Sequence, residues 1–178
     1  MRLFVAAPLP LDVRERLAGL CTGLPGARWV DPQNMHITLR FIGEVEGDAA
    51  EDADAALAQV SHQKFDLGFT GIGHFGSGRK VRSVWARVVG SDALVHLRQK
   101  VDSSLVHAGH APEHRKFHPH VTLARLKGTP AARVGDYAAA QNGFAIPPFR
   151  LDRFTLYQSQ RGNERVHYEA LAEYPLAD

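Results

Sequence analysis

The tetrad His36-Ile37-Thr38-Leu39 returns 84 residues later as His120-Val121-Thr122-Leu123. Each copy lies in a short apolar run, Met35–Ile42 and Val121–Leu126, with the alternation of a strand. Side chains at i and i+2 of a strand share a face. His36 and Thr38 therefore point one way while Ile37 and Leu39 point the other, and the second tetrad repeats this. A fold that accepts both strands must give each a polar cleft on one side and an apolar core on the other. The repeat, close to half a chain length apart, reads as an internal duplication with one motif strand per lobe. Two imidazoles held this way suit a paired general acid and general base. Two hydroxyls at the same offset suit an anion bound between them.

The remaining elements alternate. Arg2–Ala7 reads as a strand and Leu11–Leu20 as a helix. Arg28–Val30 is a short strand, and the Ala-rich Asp48–Val60 is a helix with acids in its first turns. Phe65–Ile72 and Val81–Val88 read as strands around a glycine-rich turn at Gly71–Lys80. Asp92–Val106 and Ala131–Ala140 read as helices, and Phe149–Tyr157 with Arg165–Ala172 as a closing antiparallel pair. Several strands follow one another with no helix between them, which predicts an α+β fold with antiparallel sheets.

With 178 residues, 44% of them hydrophobic, one unit with a substantial core is expected, residues 1–178 forming a single two-lobed domain. The net charge of +2 permits an anionic partner without demanding one. The lone Cys21 cannot form an intramolecular disulfide, which fits a reducing, cytoplasmic setting. The N-terminal apolar run is broken by Pro8 and Pro10, and neither a signal peptide nor a membrane span is expected.

Strict alternation puts Arg40 on the His36 face, where a guanidinium would clamp phosphate, and puts Phe41 with Ile37 and Leu39 in the core. His107, His110, His114 and His118 crowd ahead of His120, so zinc is conceivable, but there is no HExxH pattern and no second cysteine. No metal is expected. The Arg79-Lys80-Arg82 and Arg161–Arg165 clusters read as solvated turns, with contact to an anionic partner as the alternative.

The stretch Trp29-Val30-Asp31-Pro32-Gln33-Asn34-Met35-His36-Ile37-Thr38-Leu39-Arg40-Phe41-Ile42-Gly43-Glu44-Val45 resembles the first signature of the bacterial and archaeal RNA 2′,3′-cyclic phosphodiesterases. These are also called 2′–5′ RNA ligases and belong to the two-histidine phosphoesterase superfamily. Phe117-His118-Pro119-His120-Val121-Thr122-Leu123-Ala124-Arg125 resembles the second signature, and Arg2-Leu3-Phe4-Val5-Ala6, Leu156-Tyr157-Gln158-Ser159, Tyr168 and Pro175 extend the likeness over nearly the whole chain.

The resemblance implies a bilobal α+β fold, with two antiparallel sheets and flanking helices around a central cleft. It implies metal-independent hydrolysis of RNA ending in a 2′,3′-cyclic phosphate to a 2′-phosphate, with a weak reverse joining reaction and no cofactor. It makes His36 the proton donor and His120 the proton acceptor. Thr38 and Thr122 become donors to the phosphate, and Arg125 the phosphate clamp. Alternation places Arg125 opposite His120, so a bulge or the strand's end would be needed to bring it round, and Arg40 stands as the alternative. Partners implied are RNA cyclic-phosphate ends and no membrane, with the protein acting as a monomer. Two other readings stay open: a two-histidine enzyme for a small cyclic nucleotide or ADP-ribose cyclic phosphate, and an RNA-binding module without turnover.

Overall fold

The computed structural model describes residues 1–178. The first sheet runs in the order β3 (His36–Glu44), β1 (Arg2–Pro8), β8 (Arg153–Arg161), β9 (Val166–Pro175). The second runs β2 (Arg28–Trp29), β6 (His120–Arg125), β5 (Ser83–Val88), β4 (Phe65–Phe75), β7 (Ala145–Leu151). All pairings within both sheets are antiparallel. Each motif strand lies in a different sheet.

Four helices cover the apolar faces: α1 (Leu11–Ala18), α2 (Gly47–Ala58), α3 (Asp92–His107) and α4 (Ala131–Ala140). The α3 sequence is a helix for local reasons. Ser91 caps its first turn by accepting from the Leu94 amide at 3.1 Å, and Asp92 complements the dipole. Its buried residues Leu94, Leu97, Val101 and Leu105 form one stripe at helical spacing. That stripe packs behind β3 and against α2, while α2 reaches β9 and α4 backs β4. Leu3, Val5, Ile37 and Leu156 from the first sheet join Val84, Val121, Leu123 and Phe69 from the second in one contiguous core.

One link sets the two motif strands side by side. β2 pairs with the end of β6, Arg28 opposite Arg125 and Trp29 opposite Ala124. The Val30 amide then donates to the Leu123 carbonyl at 2.8 Å. Asp31 caps a 3-10 turn over Pro32–Asn34 by accepting from the Gln33 amide at 3.0 Å, and β3 starts at His36 in the other sheet. The chain so crosses between sheets with β3 lying against β6.

The expected strand Phe149–Tyr157 is two strands. β7 and β8 split at Asp152 and belong to different sheets. Pro147 and Pro148 hid β7 from a reading of strand propensity. They are tolerated because β7 is an edge strand and is irregular here: Ile146 faces Phe69 and Phe149 faces Leu67, so both prolines fall opposite Gly68, outside the regular ladder. The glycine-rich turn also starts later than expected, since β4 continues to Phe75 through a register slip between Phe69 and Ile72 with Gly71 at φ +70°.

Candidate active site

Both tetrads contain the same irregularity. Ala6 faces Thr38 and Val5 faces Arg40, leaving Leu39 as an extra residue in β3. Trp85 faces Thr122 and Val84 faces Ala124, leaving Leu123 as an extra residue in β6. Such a bulge turns two consecutive side chains to one side and resets the alternation beyond it. Leu39 and Arg40 are accordingly both buried, as are Leu123 and Ala124. The residue after each pair, Phe41 and Arg125, returns to the face of the histidine and is exposed.

The bulge corrects two expectations. Arg40 does not enter the cleft. It is 5% exposed on the core side, where its Nε donates to Asp102 Oδ1 on α3 at 2.6 Å and its two terminal nitrogens donate to the carbonyls of Phe41 and Ala111. Phe41 is not core. It is 49% exposed, with the Arg115 guanidinium 5.7 Å over its ring. Arg125 stands on the face of His120 and Thr122, at the end of β6 and without an acidic partner.

His36 sits at the head of β3 against aromatic rings from the first sheet: Phe4 at 4.9 Å between centroids, Tyr168 at 5.3 Å and Tyr157 at 6.0 Å. Its Nδ1 lies 2.7 Å from the Asn34 carbonyl, which can only accept, so this nitrogen carries a proton. Nε2 is then the nitrogen free to exchange a proton, and it lies 3.0 Å from Thr38 Oγ1. Burial pushes the ring's pKa down from 6.5 to about 4; the bond to Asn34 opposes this and the charge of His120 adds to it.

His120 repeats the arrangement in the second sheet. Its Nδ1 donates to the His118 carbonyl, which leaves Nε2 free. Phe75 meets the ring edge-on at 5.0 Å and Trp85 tilts against it at 5.4 Å. Burial again lowers the pKa, the His118 carbonyl opposes it, and the charge of His118 adds to the lowering. Thr122 lies two residues on, half-buried like Thr38.

His36 and Thr38 on β3, and His120, Thr122 and Arg125 on β6, therefore lie away from the core on two neighbouring strands, and Arg40 does not. The aromatic supports of both histidines were not singled out in the sequence as a group. Trp85 was legible in part, since Ser83, Trp85 and Arg87 alternate with apolar residues along β5, and Gly73 leaves room for its ring: a Cβ there would lie 2.2 Å from it. No three His, Cys, Asp or Glu side chains come together in a metal-holding group. Of the basic clusters, Arg165 pairs with Asp31 at 3.9 Å, while Arg79 and Lys80 lie exposed between β4 and β5.

The profile of the 2'-5' RNA ligase superfamily matches residues 10–163. The RNA 2',3'-cyclic phosphodiesterase of Thermotoga maritima is 31% identical over 97% of this chain and 94% of its own length. That of Aeropyrum pernix is 42% identical over a shorter stretch, 60% of this chain and 61% of its own length. The crystal structure of E. coli LigT complexed with 3'-AMP superposes with a TM-score of 0.80 at 27% identity, covering 99% of this chain and 98% of that one. With a family profile spanning both motif strands and a relative aligned almost end to end, the chain belongs to the 2'-5' RNA ligase superfamily.

Proposed function

We infer that this protein opens RNA 2′,3′-cyclic phosphate ends to 2′-phosphomonoesters by general acid–base catalysis without a metal, and joins such ends weakly in reverse. The carrying observation is the pair of imidazoles, each with Nδ1 committed to a backbone carbonyl and Nε2 left to exchange a proton, that of His36 beside Thr38. The Aeropyrum pernix and Thermotoga maritima relatives are RNA 2',3'-cyclic phosphodiesterases, which supports the cyclic-phosphate substrate.

The chemistry follows from the two free nitrogens. His120 Nε2 takes a proton from water, and the resulting hydroxide oxygen bonds to phosphorus. The P–O3′ bond breaks opposite the attack, roughly in line. His36 Nε2 gives its proton to O3′, so the phosphate remains on O2′. The cycle leaves His120 protonated and His36 neutral, and exchange with solvent restores both. Thr38 and Thr122 donate to the non-bridging oxygens, where negative charge gathers, and Arg125 offers a fixed fork for the same anion. The neutral Nδ1–H form of His36 suits a base more than an acid. Binding of the anionic phosphodiester supplies the missing term, because an opposite charge nearby favours the imidazolium.

The same reading makes residues 1–178 a single two-lobed catalytic unit acting as a monomer. The contiguous core supports the single unit. No helix is long and apolar enough to cross a membrane. A cytoplasmic setting fits the lone Cys21, whose thiol burial pushes up to about 11 and so out of reactive range at neutral pH.

The test is a cyclic-phosphate-ended oligoribonucleotide incubated with the protein in excess EDTA. A terminal 2′-phosphate is the expected product. A 3′-phosphate would reverse the regiochemistry, and activity lost on chelation and restored by zinc or magnesium would remove the two-histidine mechanism.

A further inference from the structure

The second sheet carries arginines on its cleft face beyond the reacting groups. Arg28 of β2 lies directly opposite Arg125 of β6 in the antiparallel register. Its neighbour Trp29 faces Ala124, which is fully buried, and touches Tyr137 of α4 at 5.9 Å between rings. Trp29 therefore marks the core side, and Arg28 points to the cleft side. Both arginines are exposed, and neither belongs to any ion pair of the structure. Arg87 of β5 stands on the same face, directly across from His120. The cleft face of β2, β6 and β5 carries Arg28, His120, Thr122, Arg125, Ser83, Trp85 and Arg87, with no acidic residue among them.

Like charges directly opposite one another across a ladder are destabilising. An arginine pair kept there, open to solvent and without a carboxylate, is matched by an anion. The pair is also in sequence along the cleft: with the bulge at Leu123, Arg125 lies two ladder positions, about 7 Å of strand, beyond Thr122. Arg28 lies one strand further out, about 5 Å between Cα atoms. Arg125 can turn back toward the phosphate held by the threonines. Arg28, exposed and one strand further out, is then placed to meet what extends outward from that phosphate.

We propose that Arg28 forms a second phosphate subsite, which binds the internucleotide phosphodiester immediately 5′ of the terminal nucleoside and so makes this enzyme favour oligonucleotides over mononucleotides. The proposal rests on the cyclic phosphodiesterase reading and adds a specificity residue to it. Phosphate contacts of this kind position a strand without reading its sequence.

The test uses three substrates: a dinucleotide ending in a 2′,3′-cyclic phosphate, the same dinucleotide with a neutral methylphosphonate at the internal linkage, and a mononucleoside 2′,3′-cyclic phosphate. Arg28→Ala should raise KM for the anionic dinucleotide about tenfold with kcat unchanged, the loss of one charge-assisted contact. Arg28→Lys should recover part of it. The dependence of log KM on log salt should fall by about 0.7, one phosphate's worth on a single strand. The methylphosphonate and the mononucleotide should not distinguish the variant from the unaltered enzyme. Equal losses on all three substrates, or no loss on the anionic one, would overturn the subsite. Calorimetric binding of the 2′-phosphate-ended dinucleotide, with anionic and with neutral linkage, judges Arg28 independently of turnover. If the unaltered enzyme opens none of the three substrates, the cyclic phosphodiesterase reading fails, and the same binding comparison still decides for or against Arg28.

Discussion

Arg40 and Arg125 sit at neighbouring positions of the two motifs and should fail in opposite ways. Arg40 is buried against Asp102 and two carbonyls. Arg40→Ala leaves that carboxylate without its partner and should cost about 3 kcal/mol in urea unfolding, while the folded fraction keeps its kcat. Arg125→Ala should leave the unfolding midpoint in place and lower kcat/KM, as should Thr38→Ala and Thr122→Ala, each by roughly 3 kcal/mol or about a hundredfold. An Arg40→Ala variant that is stable but inactive would return that residue to the cleft. The histidines set the pH dependence. With its pKa near 4 in the free enzyme, His36 is protonated in roughly one molecule in a thousand at pH 7. The free-enzyme profile, kcat/KM, should therefore rise as the pH falls below 7 and peak on the acid side of 6. The kcat profile should peak closer to neutrality, because the bound phosphate raises His36. Coincident profiles from steady-state kinetics at pH 4 to 9 would show that substrate binding does not recharge His36.

At the scale of elements, two bulges and one missing side chain shape the cleft. The extra residues Leu39 and Leu123 bring Phe41 and Arg125 round to the histidine face. Gly73 lets Trp85 lie flat enough to meet His120. Gly73→Ala should push the indole off the imidazole. In a Trp29→Phe background the fluorescence of Trp85 should shift, and kcat should fall with little loss of stability. Unchanged fluorescence and unchanged kcat would mean that the ring does not hold His120. The motif strands were legible because a polar residue at every second position leaves few alternatives. Their bulges were not, since an inserted residue has no propensity of its own. Strict alternation consequently put Arg40 in the cleft and Phe41 in the core. The likeness of Phe117–Arg125 to the second family signature already pointed to Arg125, and the bulge supplies the physical route by which it reaches that face. β7 was missed for a different reason. A Pro-Pro pair argues against a strand by propensity, and only the neighbours in the sheet show that the position is an edge.

At the scale of the molecule, the crossing from β2 into β3 places two half-chains' motifs against one another, and one core holds them there. Burial against the aromatic rings beside each motif strand lowers the pKa of both imidazoles. An unfolded histidine takes up a proton near pH 6.5, whereas His36 resists until about 4. Stability should therefore be complete above about pH 7 and fall as the pH drops toward 4, by on the order of 2–3 kcal/mol from His36. His120 adds loss in the same direction. The Glu113–Arg115 pair acts in a lower window, its carboxyl being held down from 4.5 to about 2. Urea midpoints at pH 7 and 4.5 measure the histidine part, and a His36→Phe variant should show a smaller difference between them. A midpoint independent of pH over this range would place the rings in contact with solvent. The central claim is that His36 and His120 stand on opposite sides of one phosphorus, the first giving a proton and the second taking one. The most direct measurement is turnover of a cyclic phosphate whose 3′ bridging oxygen is sulfur, a leaving group that needs little protonation. This substrate should largely restore activity to His36→Ala and leave His120→Ala inactive. Restoration of His120→Ala alone would exchange the two roles, and restoration of neither would contradict proton donation to the 3′ position by this pair.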